Sequence, residues 1–69
     1  MKYFKYINQI KPGDMVELIS MVGEPQMKAG LKGKVKFIDD ICQIHVQWQN
    51  GSSLALVPED KFKIIHNSN

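Results

Sequence analysis

The sequence predicts an all-β chain, a small barrel of five short antiparallel strands, and three observations carry that expectation. Val35 and Phe37 alternate with Lys34 and Lys36, and Ile44, Val46 and Trp48 alternate with His45, Gln47 and Gln49. A period of two leaves one face dry and the other wet, as in a half-buried antiparallel sheet. Turn chemistry separates these runs: Asp39-Asp40 opens one tight turn and Asn50-Gly51 forms another. Asn-Gly is a strong hairpin signal because a type I′ turn needs positive φ at both central residues.

Each element follows in order. Tyr3, Tyr6, Ile7 and Ile10 fall at i, i+3, i+4 and i+7, the stripe of a short amphipathic helix. A helix this short is marginal alone, so residues 1–10 either dock on the barrel or meet another chain, and Phe4 lies off the stripe. Lys11-Pro-Gly-Asp14 is a turn, Pro presetting φ and Gly accepting positive φ. Strand one spans 15–20, with Val16 and Leu18 inward and Glu17 and Ile19 outward. Residues 21–32 form a long loop containing Gly23, Pro25 and Gly30. Strand two opens at Gly33, strand three ends at Trp48-Gln49, and strand four runs from about Ser53 to Val57. Pro58-Glu-Asp60 stops it, Phe62 and Ile64 face inward on strand five, and the tail frays.

Five strands, a long first loop, two tight hairpins and a turn before the last strand follow the order of an SH3-like barrel. The expected core is Val16, Leu18, Val35, Phe37, Ile44, Val46, Leu54, Leu56, Phe62 and Ile64. The organisation is an N-terminal amphipathic extension (1–10), the barrel (11–66) and a disordered tail (67–69).

Sixty-nine residues make one domain, and a chain of this size buries only about 60% of its potential surface. One cysteine excludes an internal disulfide, and no zinc-type spacing offers another staple. Cys42 as a lone reduced thiol fits a cytoplasmic protein. The N-terminus has no uninterrupted apolar run, which argues against a signal peptide or membrane span. Nine Lys oppose seven acidic residues for a net charge of +2, with no Arg. That balance is mild for a polyanion binder, and without Arg bidentate reading of guanine is disfavoured.

Catalytic chemistry finds little purchase. Cys42 would need a base, but His45 is three residues away along a strand, on the opposite face. Two His and one Cys without ligand spacing predict no metal site, and no cofactor motif is present. Asp39-Asp40 and Glu59-Asp60 suit hydrogen bonding to turn amides. The expectation is a protein that is not an enzyme.

Most of the chain resembles the domain of unknown function 4314 family of small bacterial and phage domains. The resemblance rests on Lys11-Pro-Gly-Asp-Met-Val-Glu-Leu-Ile-Ser-Met21, Gly30-Leu-Lys-Gly-Lys-Val35, Ile38-Asp-Asp40, Ile44-His-Val-Gln-Trp48, Asn50-Gly-Ser52 and Leu54-Ala-Leu-Val-Pro58. Gln49 stands where that family commonly has Asp, Cys42 occupies a turn region where it commonly has Gly, and Glu24-Pro25 replaces Asp-Pro. A shorter stretch is similar to Mind-bomb-type and Tudor-like barrels. The resemblance implies a fold and a habitat on mobile elements of Gram-positive bacteria; it implies no activity.

Two binding functions are expected, in this order. The first is a non-catalytic protein-binding module, an accessory or inhibitor acting on a host protein, using Met21, Val22 and Met27 of the long loop with Trp48 and Phe4. Met-rich loops make pliable contact surfaces and Trp is enriched in binding hot spots; plain core packing is the competing role for both. The alternative is non-sequence-specific nucleic-acid binding, with Lys32, Lys34 and Lys36 on phosphates beside His45 and Gln47. Against it stands the ordinary role of strand lysines, which solvate a face and protect a sheet edge. Homodimerisation through residues 1–10 is a third possibility, and no membrane partner is expected.

Overall fold

The computed structural model describes residues 9–65. Four strands form one antiparallel sheet: β1 (Met15–Ser20), β2 (Lys32–Ile38), β3 (Ile44–Trp48) and β4 (Lys61–Ile65), in the order β3-β2-β1-β4. Consecutive strands β1, β2 and β3 meander, and β4 returns to pair with the free edge of β1. The amphipathic stripe of residues 2–10, with Phe4 and the helix expected there, falls outside the described residues except for Gln9 and Ile10, as does the tail 67–69. Ile10 is buried in the core. No helix among the described residues is long and apolar enough to cross a membrane.

The expected strand over residues 53–57 is reduced to one bridge. Leu56 and Ile44 exchange both backbone hydrogen bonds, at 2.8 and 3.1 Å, and pairing stops there. The reason lies upstream: the Leu54 carbonyl accepts the Trp48 indole N–H at 2.9 Å, and the Leu54 N–H donates to the Ser52 hydroxyl at 3.2 Å. Side chains thus satisfy backbone groups that a ladder would otherwise use. Downstream, Asp60 is buried and its carboxylate accepts the Val57 N–H at 3.0 Å, closing the turn into β4.

Two β-bulges revise the simple alternation. Val35 pairs with Val46 but Phe37 pairs with His45, so Lys36 is an extra residue. The slip turns Phe37 out of the expected core to 50% exposure and brings Ile38 against the core instead. In β1, Leu18 pairs with Phe62 and Ser20 with Lys61, leaving Ile19 as the extra residue at 48% exposure.

The buried core is Ile10, Val16, Leu18, Met27, Val35, Ile44, Val46, Trp48 and Leu56, with Leu54, Phe62 and Ile64 half-buried around it. The long loop folds back so that Met27 plugs this core, and Asn50 reaches its sulfur at 3.7 Å. Gly33 lies opposite Trp48 in the ladder. A Cβ there would meet the indole Cε3 at 2.8 Å and crowd the Val46 Cγ1 methyl. The bare backbone makes room for the ring.

Both hairpin loops share one construction. Asp39 and Gln43 bracket the first, with Asp39 N–H donating to Gln43 O at 3.1 Å and Cys42 N–H donating to Asp39 O at 3.0 Å. Trp48 and Ser52 bracket the second, with bonds of 2.9 Å (Trp48 N–H to Ser52 O) and 3.0 Å (Gly51 N–H to Trp48 O). Each loop therefore has three residues, the last in the left-handed region: Cys42 at φ 64° and Gly51 at φ 89°. Asn50 does not share that positive φ, which corrects the expected type I′ turn; its side chain instead accepts the Ser52 N–H at 3.0 Å. A non-glycine residue at such a position costs about 1–2 kcal/mol. Cys42→Gly should accordingly raise unfolding stability by about 0.5–1 kcal/mol, after the glycine's larger unfolded-state entropy is deducted. Urea titration checks this, and a lower midpoint would show that the thiol makes a compensating contact.

Candidate functional site

Alternation on four strands collects a basic outer face on the sheet. Val16 and Leu18 of β1, Phe62 and Ile64 of β4 and Val35 of β2 point inward, so Met15, Glu17, Lys32, Lys34, Lys63 and Ile65 point outward. Cross-strand register aligns them in rows. Lys63 and Lys32 flank Glu17 on its two sides, and Lys63 Nζ lies 3.8 Å from the Glu17 carboxylate. The next row runs Ile65, Met15, Lys34, Gln47. Lys36 at the bulge and Lys61 at the start of β4 extend the same face, and all five lysines are exposed. Glu17 is the one carboxylate within these rows. Lys34, Lys36 and Gln47 also line a cleft of about 410 Å³ with Pro12, Gly13 and Val35.

The end of this face carries a stacked pair. The Phe37 and His45 rings lie 4.2 Å apart between centroids, with planes within 10°. His45 Nε2 sits 2.8 Å from the Asp39 carboxylate, whose other oxygen accepts the backbone N–H groups of Gln43 at 2.8 Å and Ile41 at 3.1 Å. The His45 hydrogen bond chiefly holds the Asp39 carboxyl below the ordinary carboxylate range; desolvation opposes it and the two amides reinforce it. Asp39 thus organises the first loop and fixes the His45 ring.

A second feature lies at the long loop. Ile19, Ser20, Met21, Gly23, Glu24, Pro25, Met27 and Ala29 line an open groove of about 490 Å³. Val22 beside it is 75% exposed.

The expected site residues divide accordingly. Lys32, Lys34, Lys36 and Gln47 come together on one exposed surface, and His45 is present on it but bound to Asp39. Met21 is half-buried and Val22 exposed at the loop. Met27 and Trp48, expected as protein contacts with core packing as the competing role, are buried in the core. Trp48 is 2% exposed because its ring occupies the space over Gly33 and its N–H is already bonded. Phe4 lies outside the described residues. Sequence reasoning missed Lys61 and Lys63, whose alternation with Phe62 and Ile64 carried the signal, and it missed Phe37, whose exposure depends on a bulge. Among the described residues no group of three or more His, Cys, Asp or Glu could hold a metal ion.

The lowered Asp39 carboxyl links folding to pH. Its stabilisation is fully present above about pH 4, the unfolded-state value, and is lost as pH falls through the depressed folded-state value. Asp39→Asn should be less stable at neutral pH and lose less stability on acidification than the parent. Thermal melts from pH 7 to pH 2 measure both, and an unchanged acid limb would assign that limb to another carboxylate.

No curated protein and no solved structure matches the chain. A family description does: residues 4–65 match the domain of unknown function DUF4314. That span covers the whole sheet, both hairpin loops and the basic face, and the chain belongs to the DUF4314 family.

Proposed function

We propose that this protein is a non-catalytic, non-sequence-specific nucleic-acid-binding module on an SH3-like barrel, with the outer sheet face contacting phosphates. The observation that carries the reading is the gathering of Lys32, Lys34, Lys36, Lys61 and Lys63 on one face against Glu17. A chain of net charge +2 is mildly basic as a whole but strongly asymmetric. A local field of one sign, rather than net charge, attracts a polyanion. Lysine serves as a point charge for phosphate, and absence of Arg suits binding without base reading. The SH3-like part of the reading is supported by the meander, the return of β4 to β1 and the Leu56–Ile44 bridge, which puts residues 53–57 beyond β3. The proposal puts the protein in the cytoplasm, where an unpaired Cys42 suits a reducing compartment, and on a mobile element of a Gram-positive host, as the family resemblance implies.

If about four phosphates are contacted, the plot of log affinity against log salt should have a slope near −3 for a single strand. Lys34→Gln should weaken binding and reduce the magnitude of that slope by about 0.7. Lys28→Gln, in the long loop, should change neither. Fluorescence anisotropy over about 50–200 mM salt is the measurement; absent or salt-insensitive binding would overturn the reading.

Protein docking at the long loop is the second reading, favoured by the exposure of Ile19 and Val22 around the open groove. Its test must spare Met27, which packs in the core. Val22→Asp should abolish capture of a stoichiometric protein from nuclease-treated host lysate while leaving nucleic-acid affinity intact. Capture unaffected by Val22→Asp removes this reading.

A further inference from the structure

We infer that the Phe37–His45 pair is a base-stacking platform, and that the ligand of the basic face is single-stranded nucleic acid rather than duplex. The inference rests on the nucleic-acid reading and deepens it by naming the strand state.

Four observations meet at this point of the sheet. A phenyl ring at 50% exposure stands on the surface of a domain whose core is small. Burying it would contribute about 1.5–3 kcal/mol, yet the bulge at Lys36 turns it outward. The ring is held in place, because the cross-strand His45 ring stacks against it at 4.2 Å and Asp39 fixes the imidazole at 2.8 Å. A platform held rigid before binding loses little side-chain entropy on binding.

The stack also sits within reach of the phosphate contacts. Phe37 is three residues from Lys34 along β2, roughly 10 Å at strand spacing, and Lys36 lies between them. The cleft bounded by Lys34, Lys36 and Gln47, of about 410 Å³, opens on the same surface. Its volume falls within the roughly 300–1,000 Å³ range of small-molecule sites. An exposed aromatic ring beside a lysine track is the arrangement that holds single strands, where bases stack on side chains while the groove follows the backbone. A duplex hides the faces of its bases and gains nothing from such a ring. Asp39, the carboxylate nearest the stack, has its oxygens engaged by two turn amides and His45, which moderates its repulsion of phosphate.

The test compares fluorescein-labelled oligothymidylate of about 12 nucleotides with an A·T duplex of equal length. The intact chain and the variants Phe37→Leu, Phe37→Trp and Lys34→Gln are titrated, with circular dichroism confirming the fold. Phe37→Leu keeps apolar bulk and removes the aromatic face. It should lose about tenfold in single-strand affinity, with the salt slope and duplex affinity unchanged. Phe37→Trp should retain single-strand affinity, its emission quenched on binding while buried Trp48 stays constant. Wild-type single-strand affinity in folded Phe37→Leu would overturn the platform and leave the lysine face standing. Equal affinity of the intact chain for single strand and duplex would overturn the strand preference. Failure of the intact chain to bind either probe at low salt would overturn the nucleic-acid reading itself, and the platform with it.

Discussion

Trp48 is the side chain on which the architecture turns. Its ring lies across Gly33 of the neighbouring strand, and its N–H reaches the Leu54 carbonyl at 2.9 Å. One residue therefore joins β3 to β2 by packing and to the returning segment by a hydrogen bond. A chain of 69 residues without a disulfide has few ways to hold a non-laddered segment against a sheet. Here the indole does so, and the price is the loss of regular pairing over residues 53–57. The same ring leaves the second hairpin loop above the core, where Asn50 meets Met27 of the folded-back loop. Packing, turn and loop closure thus converge on one large aromatic side chain, which is why it is unavailable as a surface contact.

The outer face follows from the inner one. Inward packing of Val16, Leu18, Val35, Phe62 and Ile64 turns their strand neighbours outward, among them Lys34, Lys61 and Lys63. Antiparallel register then sets lysines from β2 and β4 on both sides of Glu17. The core fixes where the charges stand. At long range the five lysines act as one field, screened within about 8–10 Å at ordinary salt. Beside them the Phe37 ring adds an exposed apolar surface stacked on His45.

Much of this was legible in the residues and some was not. The period of two placed β1 at its observed limits and identified six of the nine buried core residues among the described residues: Val16, Leu18, Val35, Ile44, Val46 and Leu56. It failed at Phe37 because a bulge is a one-residue change of register with no composition of its own; Lys36 looks like any outward lysine until the partner strand is placed. It failed at residues 53–57 because Leu54 and Leu56 alternate properly, yet side chains of Trp48 and Ser52 compete for the backbone. Lysines 32, 34 and 36 were visible as a local run, whereas their union with 61 and 63 is a property of topology. Apolar residues in the long loop were visible too, but only packing distinguishes Met27, which enters the core, from Val22, which does not.

The bulge at Lys36 has a consequence for how this chain can change over generations. On its β1 side, β2 answers to the Trp48 ring and to Val46, and a substitution there is felt by the whole interior. Beyond it, residues 37–43 contribute only Ile38 to the packing around the core. The extra residue separates the exposed tip from the buried body of the sheet. Changes at exposed tip positions such as Phe37 and Ile41 therefore leave the packing of the buried core in place, whereas changes at Asp39 or Cys42 alter the turn itself.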